Sequence, residues 1–216
     1  MCIFSVQTLE PVPSVSSFGN VFQAKILSTG EIVAVKRIQL ERRYKNRELQ
    51  ILSMLDHPNI CKLKHYFYSQ DEDTNVVYVN LVMEYLPFTL YSITRHLSRQ
   101  HKLLPIALIR RYCYDLVNAL EHLHELGICH RDVKLQNLLI DPEKQQLKLC
   151  DFGSAKFLKS GETSICYICS RFYRAPELVL GATEYSFPIG LPPFTVYTFQ
   201  RFSYHLRYVV FWLYSW

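Results

Sequence analysis

The chain has 216 residues, 24 Lys and Arg against 19 Asp and Glu, a net charge of +5, and 49% hydrophobic and 14% aromatic residues. That length supports one large or two small domains with a substantial core. With only 7 Gly and 10 Pro, the composition excludes a collagen-like or disordered chain, and the mild positive excess does not by itself indicate nucleic acid.

Val33-Ala34-Val35-Lys36 lies within a β-branched run, Glu31 to Ile38, which predicts a strand with one inward-capable lysine. Arg43 to Leu55 follows as a helix, with Tyr44, Ile51, Leu52 and Leu55 on one side and Asp56-His57-Pro58-Asn59 stopping it. Asn75 to Glu84 is a second strand, broken by Tyr85-Leu86-Pro87. Ile106 to Leu126 is the strongest helix: Ile109, Tyr112, Cys113, Leu116, Val117, Leu120 and Leu123 share a face, and Gly127 terminates it. Leu138 to Ile140 and Leu147 to Cys150 flank an Asp141-Pro142-Glu143-Lys144 turn, predicting a hairpin. Strands come first and helices later, an α+β pattern whose unlike halves meet near Tyr85 to Phe88.

Seven cysteines are scattered without framework spacing, and the first ten residues lack the basic start and apolar stretch of a signal peptide. Reduced thiols in an intracellular, cytoplasmic protein are the simplest reading, with the nucleus as a second compartment. The Cys166-x-x-Cys169 pair has no second pair beside it, so it is a weak metal signal.

Three strings carry chemistry together: Val33-Ala34-Val35-Lys36 on a strand, His130-Arg131-Asp132-Val133-Lys134-Leu135-Gln136-Asn137 after the long helix, and Asp151-Phe152-Gly153 after the hairpin. With Ala175-Pro176-Glu177 following, their order matches the protein-kinase signature, whose parts occupy those structural contexts. Phosphoryl transfer needs charge neutralisation and positioning above all. Lys36 would reach the α- and β-phosphates of ATP, held by a helix carboxylate for which Glu48 is the candidate. Asp151 and Asn137 offer hard oxygen ligands to Mg²⁺. Asp132 would accept or orient the proton of the attacking hydroxyl, and Lys134 would neutralise the γ-phosphate and favour Ser or Thr as acceptor.

The strings Tyr44 to Ile51, Gly127 to Asp132, Leu147 to Lys156 and Tyr167 to Glu177 closely resemble glycogen synthase kinase 3, the shaggy family, over about Phe18 to Ser186. The resemblance implies a protein-kinase-like two-lobed fold with a β-rich small lobe, residues 1–87, and a helical large lobe, residues 88–186. It implies a Ser/Thr kinase using ATP and Mg²⁺ on protein substrates that already carry a phosphate. Arg47, Arg131 and Lys156 would bind that phosphate, four residues beyond the target, as a charge-assisted clamp. Tyr167 would be the activation-loop phosphosite. Met83 would guard the adenine pocket, Glu84 to Leu86 would form the hinge, and Val21, Ala34 and Leu139 would sandwich the base. Leu52, His130 and Phe152, with Leu63, would stack into a spine. No nucleic acid or membrane is implied as a partner.

The sequence also departs from that family. Aligned back from Gly19 and Val21, the nucleotide loop reads Ser14-Val15-Ser16-Ser17-Phe18-Gly19, with serines at its first two glycine positions, so weaker nucleotide binding is expected. Pro11 and Pro13 fall where the first strand should run, which predicts a malformed strand. No Asp follows Asp151 to tie down the His130-Arg131 loop, and no later stretch resembles the remaining large-lobe helices, the family's scaffold-docking region among them. Residues 187–216 contain no Asp or Glu but 11 of the chain's 30 aromatics, so an unrelated tail and an incomplete large lobe are expected. The charge-free run Tyr208 to Trp216 is far short of the ~20 residues of a membrane span. The alternative reading is a catalytically impaired kinase fragment or a pseudokinase-like binding module.

Overall fold

A computed structural model describes residues 6–11, 20–40, 46–159 and 161–190. The chain divides into two compact units between Leu86 and Pro87.

The first unit is a five-stranded antiparallel sheet with one helix. Its strands are β1 (Val6–Pro11), β2 (Asn20–Ile26), β3 (Ile32–Gln39), β4 (Leu63–Gln70) and β5 (Val77–Glu84), in the order β1-β2-β3-β5-β4. Period-two alternation gives the sheet two different faces. Ala24, Ile26, Val33, Val35 and Val82 form one buried cluster, against which Val6 and Phe67 pack. The register pairs Val21 with Lys36, Ala34 with Met83 and Lys36 with Leu81, so Val21, Ala34, Lys36 and Met83 share the opposite face.

Two expectations are corrected in this unit. The first strand does form: Pro11 is its last residue and β1 lies at the sheet edge, where a missing N–H costs no ladder bond, although the register shifts between Thr8 and Glu10. The helix α1 is short, Arg47–Leu52, with Asn46 capping it by accepting the Leu49 N–H at 2.9 Å. It stops before Leu55 because Ser53 Oγ donates to the Leu49 carbonyl at 2.7 Å, and Met54 and Leu55 bond back only three residues. Tyr44 and Pro13 lie outside the described residues.

The second unit opens with β6 (Phe88–Thr89) and α2 (Leu90–Arg99), where Thr89 and Ser92 form a reciprocal cap. The long helix α3 (Ile106–Glu125) buries Ile109, Tyr112, Leu116, Ala119, Leu120 and Leu123, and Gly127 (φ 71) turns the chain after it. Cys113 and Val117, expected in its core stripe, are half-buried. Next come β7 (Ile128–Cys129), β8 (Leu138–Asp141), β9 (Gln146–Leu149), β10 (Lys156–Phe157) and α4 (Pro176–Val179). β6, β8 and β9 form one sheet; β7 and β10 form a two-stranded ladder.

At the end of the described chain a 3₁₀ turn, Phe187–Gly190, follows. Its Ile189 is buried with Cys129, Ala175 and Leu178, and Phe187 packs against that cluster and on the His124 ring at 4.7 Å. The first residues past Ser186 thus complete a core in this unit, although the sequence marks a compositional break there. Residues 191–216 lie outside the described residues.

Asp115 is a polar residue on the core face of α3, only 1% exposed. Its Oδ2 accepts the Leu147 N–H of β9 at 2.9 Å and its Oδ1 faces Arg111 Nε at 3.1 Å. A buried carboxylate stays only when it is hydrogen-bonded and paired. Asp115→Ala should therefore lower unfolding stability by about 1–3 kcal/mol, and Asp115→Asn, which keeps an acceptor oxygen, by less. Urea midpoints measure this; an Asp115→Ala midpoint equal to the parent's contradicts it.

Candidate active site

Lys36 sits mid-strand in β3, 2% exposed, and Glu48 lies in the first turn of α1, 5% exposed. Lys36 Nζ donates to Glu48 Oε1 at 2.7 Å and Oε2 at 2.8 Å. The pairing that the sequence suggests between a strand lysine and a helix carboxylate is present, and desolvation strengthens it.

The loop after β7 gathers the second group. Asp132 receives donors on both oxygens. Lys134 Nζ reaches Oδ2 at 2.8 Å and Asn137 Nδ2 reaches it at 3.2 Å; Ser170 N–H and Oγ reach Oδ1 at 3.1 and 3.0 Å. Asn137 Nδ2 also donates to the Asp132 carbonyl at 2.9 Å, and Lys134 Nζ to Ser170 Oγ at 3.1 Å. Asp132, Lys134 and Asn137 are all buried. This carboxylate is fixed in one orientation by four side-chain and backbone donors. Sequence reasoning missed Ser170: it lies 38 positions from Asp132, and a serine beside an activation segment carries no signal of its own.

Cys150 N–H donates to the Asn137 carbonyl at 2.9 Å, so Asp151 follows directly on a residue tied to Asn137. Asp151 takes a left-handed backbone, φ 63, as does Arg131, φ 64. A non-glycine residue there stores strain of about 1–3 kcal/mol, which surrounding contacts must offset. Around Arg131 they do. Its Nε donates to the Ser154 carbonyl at 2.6 Å and its Nη1 to Tyr185 Oη at 3.1 Å, while His130 Nε2 meets the Cys150 carbonyl at 3.0 Å. These contacts hold the loop for which the sequence shows no later aspartate. Glu177 makes no ion pair among the described residues.

Lys156 pairs in register with Cys129, and its Nζ lies 2.9 Å from Glu162 Oε1. Arg47, in the first turn of α1, belongs to the first unit and is exposed. Tyr167 is 80% exposed with its ring 4.4 Å from the Arg174 guanidinium, and Arg174 donates to the carbonyls of Ile168 and Cys169. Met83, Glu84 and Leu86 are half-buried at the end of the first unit, where Glu84 Oε1 accepts the Lys62 N–H at 2.7 Å. Leu139 is half-buried in β8. Of the predicted spine, His130 and Phe152 meet edge to face at 4.9 Å, both buried; Leu52 is buried and Leu63 half-buried in the other unit. Gly19 and the serine-substituted loop lie outside the described residues. The Cys166 and Cys169 thiols form no disulfide, and burial pushes Cys169 up to about 12. Among the described residues no His, Cys, Asp or Glu cluster could hold a metal ion without other ligand types.

Burial lowers the pKa of His130 below its ordinary 6.5, the nearby Asp132 and Asp151 opposing this only in part, and burial lowers His124 likewise. Below pH 6.5 the unfolded chain therefore takes up protons that the folded chain refuses. Stability should be fully present above that pH and fall as pH drops below 6.5, with a shallower fall in His124→Gln. Urea midpoints across this range check it; stability that rises on acidification contradicts it.

A family model described as the protein kinase domain matches residues 16–191 of the 216. The match includes both charged clusters and runs five residues past Ser186, through the buried Ile189. The α+β architecture agrees with it: a curled antiparallel sheet carries Lys36, and a mainly helical unit carries Asp132, Asn137 and Asp151. The chain belongs to the protein kinase domain family.

Proposed function

We propose that this protein transfers the γ-phosphoryl group of ATP to Ser or Thr hydroxyls of protein substrates, in the manner of glycogen synthase kinase 3, and favours substrates that already carry a phosphate. The observation that carries this reading is the Asp132 constellation: a buried carboxylate with Lys134 Nζ at 2.8 Å and Asn137 beside it. Asp132 orients and receives the proton of the attacking hydroxyl. Lys134, held between Asp132 and Ser170, places a positive charge where negative charge accumulates. A lysine two residues after the catalytic aspartate is what favours an aliphatic hydroxyl as acceptor.

The donor set fits Mg²⁺. The Asn137 amide nitrogen is committed to Asp132, so its oxygen would be the atom left for a cation, and Asp151 would add a carboxylate. A divalent ion held by Asn137 and Asp151 supplies charge neutralisation to the nucleotide phosphates. Lys36, fixed by Glu48, adds the cation on the nucleotide side, and Val21, Ala34 and Met83, on its sheet face, offer an apolar surface to a base. Gly19, Glu84 to Leu86 and Leu139 complete the nucleotide contacts in this reading. Arg47, Arg131 and Lys156 bind the substrate's existing phosphate, Tyr167 is the exposed site of activating phosphorylation, and the protein acts in the cytoplasm.

Asp132→Asn should cut turnover by about 10²–10⁴-fold while leaving nucleotide affinity nearly unchanged. Asp151→Asn should abolish turnover through loss of the metal ligand. Steady-state rates on a Ser-containing peptide measure both, and unchanged rates in the two variants rule out this mechanism. Charge reversal at Arg47 or Lys156 should reduce kcat/KM on a phosphoserine-primed peptide by one to two orders of magnitude, given about 1.5–3 kcal/mol per charge-assisted contact. The unprimed peptide should be little affected. Equal losses on the two peptides remove the phosphate-pocket assignment.

A further inference from the structure

The pocket assigned to a substrate phosphate already holds an anion of the chain itself. Cys129 pairs with Lys156 on the β7–β10 ladder; two residues beyond Cys129, Arg131 donates to Ser154, two residues before Lys156. Lys156 thus stands on the ladder, and Arg131, just past the end of β7, is tied to the stretch that leads into β10. Residues 162–165 fold back to both. Lys156 Nζ meets Glu162 Oε1 at 2.9 Å, Ser164 Oγ at 2.9 Å and the Thr163 carbonyl at 3.5 Å. Arg131 reaches the same segment through Tyr185, whose hydroxyl accepts from Arg131 and donates to the Ile165 carbonyl at 2.8 Å. Ser164 N–H, bonded to the Thr183 carbonyl at 2.7 Å, pins the segment in place. The Lys156 side chain is 19% exposed and that of Glu162 is 47% exposed, so solvent and solutes reach the carboxylate.

We infer that Glu162 is a specificity-determining residue: its carboxylate is an internal competitor that a substrate phosphate displaces and a substrate carboxylate does not. This rests on the phosphate-pocket reading above. An Asp or Glu side chain arriving from a substrate would exchange one carboxylate for another. Glu162, tethered six positions from Lys156, holds the advantage of a high effective concentration in that exchange. A phosphate brings a charge of about −1.5 to −2 and three acceptor oxygens, so it can take Lys156 from Glu162 and still accept from Ser164 Oγ. The internal carboxylate thus converts a site that any anion could enter into one that answers to phosphorylation and ignores ordinary acidic sequence. Negative charge alone would not prime a substrate.

The test measures binding by fluorescence anisotropy with the full chain and three labelled peptides. These differ only four residues beyond the target serine, which carries phosphoserine, Glu or Ala there. The parent should bind the phosphoserine peptide at least about tenfold more tightly than the other two, and Glu no better than Ala. Glu162→Gln should bind the Glu peptide several-fold more tightly than the Ala peptide and so narrow the gap to phosphoserine. Glu162→Asp, which keeps the charge, should retain the parent pattern, and Lys156→Ala should abolish the phosphoserine preference. If Lys156→Ala abolishes it but Glu162→Gln leaves every ratio unchanged, the pocket stands and the role of Glu162 is overturned. If the parent binds all three peptides equally, the phosphate-pocket reading fails and this inference falls with it.

Discussion

Desolvated charge is the constraint on which this protein is organised. Lys36, Glu48, Arg131, Asp132 and Lys134 are all at most 7% exposed. An ion removed from water is tolerated only where an opposite charge and further hydrogen bonds receive it. Lys36 and Glu48 solve this within the first unit by a two-oxygen contact. Asp132 solves it in the second by collecting Lys134, Asn137 and Ser170. Breaking a buried pair by removing one member costs about 3–5 kcal/mol, and a whole domain retains only about 5–15 kcal/mol of net stability. The groups that would do chemistry are therefore also groups on which the folded state depends. The left-handed backbones at Arg131 and Asp151 belong to the same arrangement, because the Ser154 and Cys150 carbonyls, together with Tyr185, fix the loop that carries that strain.

Much of this frame was legible in the sequence where the pattern is local. The β-branched run around Lys36, the period of α3 ended by Gly127, and the Asp141–Lys144 turn between β8 and β9 each follow from residues within one element. Boundaries were less legible wherever a side chain competes with the backbone, as Ser53 does at the end of α1. The proline in β1 was misleading because its effect depends on whether the strand lies at an edge, and edge position is a property of the sheet. Of the charged groups, the motif residues announced themselves by order and spacing. Ser170, Tyr185 and Asp115 did not. Their partners lie 38, 54 and 32 positions away, and no short pattern encodes a contact at that separation.

The compositional break at Phe187 shows how a sequence signal can be real and yet fall at a different place in the structure. The acid-free, aromatic-rich stretch begins there, but Phe187 and Ile189 lie against Cys129, Ala175 and Leu178, and the family match continues to residue 191. Aromatic and aliphatic side chains fill an apolar gap by area and shape, whatever the composition of the residues that follow them. The activation segment adds a second layer. Glu162 on Lys156 and Tyr185 on Arg131 show cations kept satisfied by the chain's own groups.

The central claim is tested most directly by phosphoryl transfer itself. The full chain is incubated with Mg²⁺, ATP labelled at the γ-phosphate, and a peptide carrying a serine four residues before a phosphoserine, and the labelled residue is identified by mass spectrometry. The account predicts label on that serine, and none when Asn replaces Asp132. Label on tyrosine alone, or a chain that binds nucleotide and peptide and transfers nothing, would contradict it.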